Sequence, residues 1–188
     1  MTRGGSQRTT ERVFVAVSPS WFVREGLAGW ARQAELGTGA RRLAPKGIHL
    51  TLCFLDQRDR AEVAATEEAM HGAARPLGRL ETGAPVWLPR RRPRALAVEV
   101  HDPGETLARL QAELAAGLAE AIGWQPPRSF RPHVTVARFG PGAKPRRDRL
   151  PPTPALGFQP EAVILYRSLL HAGGAEYEAI AEVALSAK

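Results

Sequence analysis

The chain carries one cysteine, Cys53, in 188 residues. An internal disulfide and a zinc site built on several thiolates are therefore excluded. No stretch approaches the roughly 18 consecutive apolar residues that a bilayer-spanning helix needs. The polar segment Met1 to Glu11 lacks the apolar core of a signal peptide. It is expected to be a disordered tail, with residues 12–188 forming a single two-lobed domain in the cytoplasm. Three chemical signatures are missing as well. Without a Gly-x-Ser-x-Gly elbow, a Ser-His-Asp hydrolase has no support. Without a Gly-x-x-x-x-Gly-Lys-Ser/Thr loop, neither has nucleoside triphosphate hydrolysis. A catalytic zinc needs three protein ligands, and no His-x-x-x-His or cysteine pair supplies them.

Lysine is scarce too: nearly all of the 26 basic residues are arginine. Net charge is +7 and the sequence pI is about 10.6. Such a balance favours a polyanionic partner through counterion release. Arginine-rich codon composition would produce the same number. The run Arg90, Arg91, Arg92 reads either as a solvated face or as a track for a nucleic-acid backbone.

The pattern of apolar residues alternates strand with helix. Strands are expected over Arg12–Ser18, Ile48–Leu55, Arg94–His101, Pro132–Phe139, Ala162–Leu170 and Tyr177–Leu185. The last two flank the turn Ala172-Gly-Gly-Ala175. Helices are expected over Pro19–Leu36, capped by Ser18 or Ser20, over Asp59–Ala74, and over Pro103–Ile122. The third has the clearest period, with Leu107, Leu110, Leu114 and Leu118 on one face. Gly37, Gly39 and Pro45 punctuate a loop, the proline-rich stretch 140–158 reads as a loop or a short irregular helix, and a short strand is expected around Val86 to Leu88 in a Gly-, Pro- and Arg-rich stretch. The halves are alike in kind, each with a strand, a helix and a strand bearing His-x-Thr, which points to an internal duplication.

Those two motifs carry the chemistry. The first is Gly47-Ile-His49-Leu-Thr51-Leu-Cys-Phe-Leu55; the second is Arg131-Pro-His133-Val-Thr135-Val-Ala-Arg138-Phe139. On a strand, alternate side chains share a face. His49 and Thr51 therefore point away from Leu50 and Leu52, and His133 and Thr135 away from Val134 and Val136. If the strands lie side by side, two imidazoles and two hydroxyls converge. That set suits a cyclic phosphodiester: one imidazole deprotonates water and the other protonates the leaving ribose oxygen. The hydroxyls donate to the non-bridging oxygens, where charge builds. A single His-x-Thr is a weak signal, whereas two on matching strands are not readily accidental. His71, His101 and His171 lack this context and read as structural or solvated.

At these residues the sequence resembles the two-histidine phosphoesterase superfamily, and within it the RNA 2′,3′-cyclic phosphodiesterases, also called 2′-5′ RNA ligases. Further landmarks are Arg12-Val-Phe14-Val-Ala16, Arg91-Arg-Pro-Arg94-Ala-Leu96, Phe130-Arg131-Pro132, Leu165-Tyr166-Arg167-Ser168 and Gly173-Gly-Ala-Glu-Tyr177. The resemblance implies a bilobal, duplicated α+β fold with two antiparallel sheets facing a central groove and helices outside. It implies His49, Thr51, His133 and Thr135 as the catalytic quartet, with His133 as base and His49 as acid, roles that could be exchanged. It suggests Arg138 as a phosphate contact, against the reading of a plain surface arginine. Phe14 and Phe130 could stack on a base or pack in the core. No metal and no cofactor are expected. The expected partners are RNA with 2′,3′-cyclic phosphate ends or cyclic nucleotides, with no membrane and no obligate protein partner. Ligation or cleavage of 2′-5′ linkages and a catalytically silent RNA-binding module are the alternatives. The chain departs from the family pattern at Cys53, where a basic residue is common, and at Asp56, where glycine is. By alternation Cys53 either lines the groove or is buried past its edge.

Overall fold

The computed structural model describes residues 9–171 and 174–185. The expected tail and the turn Ala172-Gly173 lie largely outside them. Strand β1 (Thr10–Val17) already begins inside the segment read as tail.

Helix α1 (Trp21–Gln33) starts at Ser20, whose hydroxyl accepts from the Val23 amide. Strands β2 (Gly37–Arg42) and β3 (Leu50–Asp59) follow. Helix α2 (Arg60–Ala73) opens on a reciprocal cap, in which Asp59 accepts from the Glu62 amide and Glu62 accepts from the Asp59 amide. Next come β4 (Leu80–Leu88), β5 (Ala95–His101), helix α3 (Thr106–Ile122) and β6 (His133–Pro145). Strands β7 (Gly157–Phe158), β8 (Ala162–His171) and β9 (Gly174–Ala184) close the chain.

The cap of α3 is displaced. Glu105 precedes the helix with φ of 53° and makes no capping bond. Asp102 does that work instead: its carboxylate accepts from the amides of Thr106, Leu107 and Ala108. Asp102→Ala leaves three first-turn donors without it, and is expected to destabilise the fold by about 2 kcal/mol. Chemical denaturation measures this; a loss below about 0.5 kcal/mol would show the cap to be idle.

The strands lie in the order β7-β4-β5-β6-β3-β1-β8-β9, all neighbours antiparallel, with β2 pairing the far part of β6. The nine strands thus form one continuous sheet rather than two separate ones, its halves joined at one residue pair, Leu50 opposite Val134. This is the expected α+β architecture, with both motif strands meeting at the seam. The helices cross over it. Helix α1, which leaves β1, packs on β2 and β6 of the other half, while α3, which leaves β5, packs on β3 and on α2. Its four leucines, Leu107, Leu110, Leu114 and Leu118, are fully buried, each worth roughly 2 kcal/mol.

Two segments differ from the sequence expectation. Residues 37–42 and 140–145, read as loops, pair as β2 and the end of β6. Gly37 and Gly39 take φ of 82° and 76° there, so the glycines bend a strand rather than end one. Strand β4 is also longer than Val86–Leu88, because pairing with β5 carries it across Gly83 and Pro85.

Candidate active site

The seam sets the geometry. Leu50 and Val134 are fully buried on the core face. Their flanking residues are half-buried: His49 immediately before β3 and Thr51 on it, His133 and Thr135 on β6. Because the pair is antiparallel, His49 lies on the Thr135 side and Thr51 on the His133 side. The register thus places the four predicted positions around one two-fold-like point, with His49 and Thr51 in the wall of the groove and His133 and Thr135 beside the seam rather than among its lining residues.

Both imidazoles are held by the main chain two residues back. His133 donates from Nδ1 to the Arg131 carbonyl at 2.7 Å. A carbonyl only accepts, so Nδ1 carries the hydrogen and Nε2 is the working nitrogen. His49 makes a bond to the main chain of Gly47. Its ring is boxed by Phe14 at 4.8 Å and by Tyr177, edge-on, at 4.9 Å. Tyr166 stacks under Phe14 and bonds Ser18 through its hydroxyl at 2.9 Å. Burial, then the charge of Arg138, push the His49 pKa down to about 4. Burial also lowers His133, and Arg128, Arg131 and Arg138 add to it.

A groove of about 350 Å³ opens over His49 and Thr51. Arg12, Arg41, Phe54, Arg138, Ser168 and Tyr177 are among its walls. Arg41 and Arg138 sit directly opposite each other on β2 and β6. Among the described residues neither has a carboxylate partner, and such a like-charged pair invites an anion. Gly174, with φ of 122°, leaves room for Arg41: a Cβ there would collide with its guanidinium.

A bulge follows each motif. On β3 the register slips between Thr51 and Cys53, opposite Ala16 and Val15; on β6 it slips between Thr135 and Ala137, opposite Ala97 and Leu96. Leu52 and Cys53 both turn inward, as do Val136 and Ala137. The next residues, Phe54 and Arg138, are thrown back to the groove face. Cys53 is therefore core, 1% exposed, with Gln111 of α3 beside its sulfur. Burial raises its thiol pKa to about 12.

The other sequence candidates divide. Phe14 is 3% exposed, and His49 and Tyr166 pack on its ring, so it is core floor rather than a free stacking face. Phe130 is half-buried against the core and is not part of the groove wall. His71, His101 and His171 are exposed and are not part of the groove wall either. Arg90, Arg91 and Arg92 are exposed on the β4–β5 turn, where Arg147 donates to the Arg91 carbonyl at 3.3 Å. Sequence reasoning missed Arg41, Phe54, Tyr166 and Tyr177 as site residues. Both tyrosines were visible as family landmarks, without a role. Among the described residues no three His, Cys, Asp or Glu side chains form a set that could hold a metal ion, and no helix is long and apolar enough to cross a membrane.

The 2′-5′ RNA ligase superfamily is the family whose pattern matches this chain, over residues 24–171. The chain belongs to this superfamily of two-histidine phosphoesterases. An RNA 2′,3′-cyclic phosphodiesterase from Archaeoglobus fulgidus is 27% identical over 128 residues, which span 68% of this chain and 72% of that protein. Among solved structures, TT0787 of Thermus thermophilus superposes with a TM-score of 0.77 at 28% identity, covering 93% of this chain and 97% of that one. Apo LigT of E. coli superposes with a TM-score of 0.79 at 23% identity, covering 95% and 99%. The superfamily fold thus extends over nearly the whole chain.

Proposed function

We propose that this superfamily member hydrolyses 2′,3′-cyclic phosphates at RNA ends to 2′-phosphomonoesters. The observation that carries the reading is the seam itself, where one buried pair, Leu50 and Val134, sets two histidines and two threonines on a single face. In the proposed reaction one imidazole takes a proton from water, whose oxygen bonds to phosphorus. The bond from phosphorus to O3′ breaks, and the other imidazole gives O3′ its proton. Thr51 and Thr135 donate to the non-bridging oxygens, and Arg41 and Arg138 hold their charge. No step calls for a metal ion. With the 5′-hydroxyl of another RNA end in place of water, the same step would form a bond from phosphorus to O5′, break the bond to O3′ and so join a 2′-5′ linkage.

The test is incubation with a dinucleotide ending in 2′,3′-cyclic phosphate, with and without excess chelator, read by phosphorus NMR. The expected result is a 2′-monophosphate formed at the same rate in both. Strict dependence on an added divalent ion would favour a metal site. Binding of the dinucleotide without turnover would favour the silent RNA-binding module.

A further inference from the structure

The carbonyl that orients His133 sits at an exposed end of the ladder. Strand β6 begins at His133, Pro132 before it has no amide to donate, and Arg131 stands outside the strand. The Pro132 carbonyl accepts from the Val100 amide at 3.0 Å. Beyond that point a side chain ties the segment to β5: the Arg131 guanidinium donates to the Glu99 carboxylate. Glu99 is half-buried and stands directly opposite His133 across the β5–β6 pair. One residue, Arg131, thus carries both the carbonyl that takes the His133 Nδ1 hydrogen, at 2.7 Å, and the guanidinium that Glu99 holds. The cations around the ring are Arg128 and Arg131 from the preceding loop and Arg138 from β6, and all three disfavour its imidazolium form. From the other motif His49 acts on it as well. Glu99 is the carboxylate that β5 sets against these charges. A carboxylate this close to a phosphate site repels the substrate, so its presence there calls for another task.

We propose that Glu99 is a positioning residue for His133: through Arg131 it fixes the carbonyl that orients the imidazole, and it offsets the arginine charge beside the ring. It acts on the reaction through these two residues, without touching the substrate. Its part in turnover rests on the cyclic-phosphate reading of the site; its hold on His133 does not.

Two variants separate the charge from the tether. Glu99→Gln keeps an oxygen that can accept from Arg131 and removes the charge. With Arg131 no longer offset, the His133 imidazolium is disfavoured further, so the basic limb of the kcat/KM profile on a cyclic-phosphate dinucleotide should move down by about half a pH unit. Glu99→Ala removes charge and tether together. It should show the same shift and, in addition, a kcat at its own optimum lowered about tenfold with little change in KM. A basic limb that stays in place in Glu99→Gln, or a loss in Glu99→Ala carried by KM, would overturn the proposal. Should the wild-type protein hydrolyse no cyclic phosphate, the phosphodiesterase reading falls, and the hold of Glu99 on His133 is decided in the ligand-free protein. Proton NMR follows the imidazole signal that His133→Ala deletes. Its titration midpoint must drop by about half a pH unit in Glu99→Gln; an unmoved midpoint overturns the proposal.

Discussion

Alanine at His49 or at His133 is expected to lower turnover of a cyclic-phosphate dinucleotide by at least about a hundredfold, the usual scale for a lost general acid or base. The main-chain bonds of both rings, to Gly47 and Arg131, fix their orientation. The double variant should lose much less than the product of the single losses, because the pair acts as one unit. A phosphodiester with a 4-nitrophenolate leaving group separates the roles. That group departs without help, so the variant lacking the acid should recover most of its rate and the variant lacking the base should not. The resemblance assigns His49 as acid. The stronger depression of His49 argues the reverse for the free protein, in which a single shared proton resides on His133. Near-normal turnover of the dinucleotide by His133→Ala would remove the basis of the two-histidine mechanism.

The pH dependence of kcat/KM is expected to be bell-shaped and to peak on the acid side of 6.5. One imidazole must be charged and the other neutral, so the reactive form of the free protein is the singly protonated pair. Both pKa values lie below the ordinary histidine value of 6.5, and that of His49 is near 4. That form therefore exists between about 4 and a value under 6.5, and the rate falls about tenfold per pH unit on either side. A bound phosphate brings negative charge against Arg138 and favours imidazolium, so the kcat profile should sit at higher pH than that of kcat/KM. Arg138→Gln removes a cation that disfavours both imidazolium forms. Its kcat/KM bell should move to higher pH even as the rate drops. A rate rising steadily from about pH 5 to about pH 9 would contradict the mechanism, and a downward shift in Arg138→Gln would contradict the electrostatics.

Much of this site was legible in the sequence, because the signals were local. The alternation from His49 to Leu52 and from His133 to Val136, the leucine ridge of α3 and a serine cap for α1, expected at Ser18 or Ser20 and found at Ser20, each need only a few neighbouring residues. What escaped depends on pairing across the sheet. Strict alternation puts Cys53 in the groove and Phe54 in the core, and the bulge after Thr51 reverses both. The same device rescues Arg138, which alternation would also have buried. Strand β2 has no period of its own, and only its register with β6 makes Arg41 a neighbour of Arg138. Asp56 is a different case. Its φ of 61° explains why glycine suits the position, and its bond to Arg12 is what this chain has instead.

The crossing of the helices has a consequence for the order in which the molecule can be made. A ribosome delivers β1 and β3 early, yet the sheet they start needs α3 to cover it and β8 to complete it, and both come much later. Until then the first half has an open strand edge on β1 and an apolar face covered by α2 alone. Cooperative folding must wait for almost the entire chain, and neither half of the duplication, released by itself, would have the covering it requires.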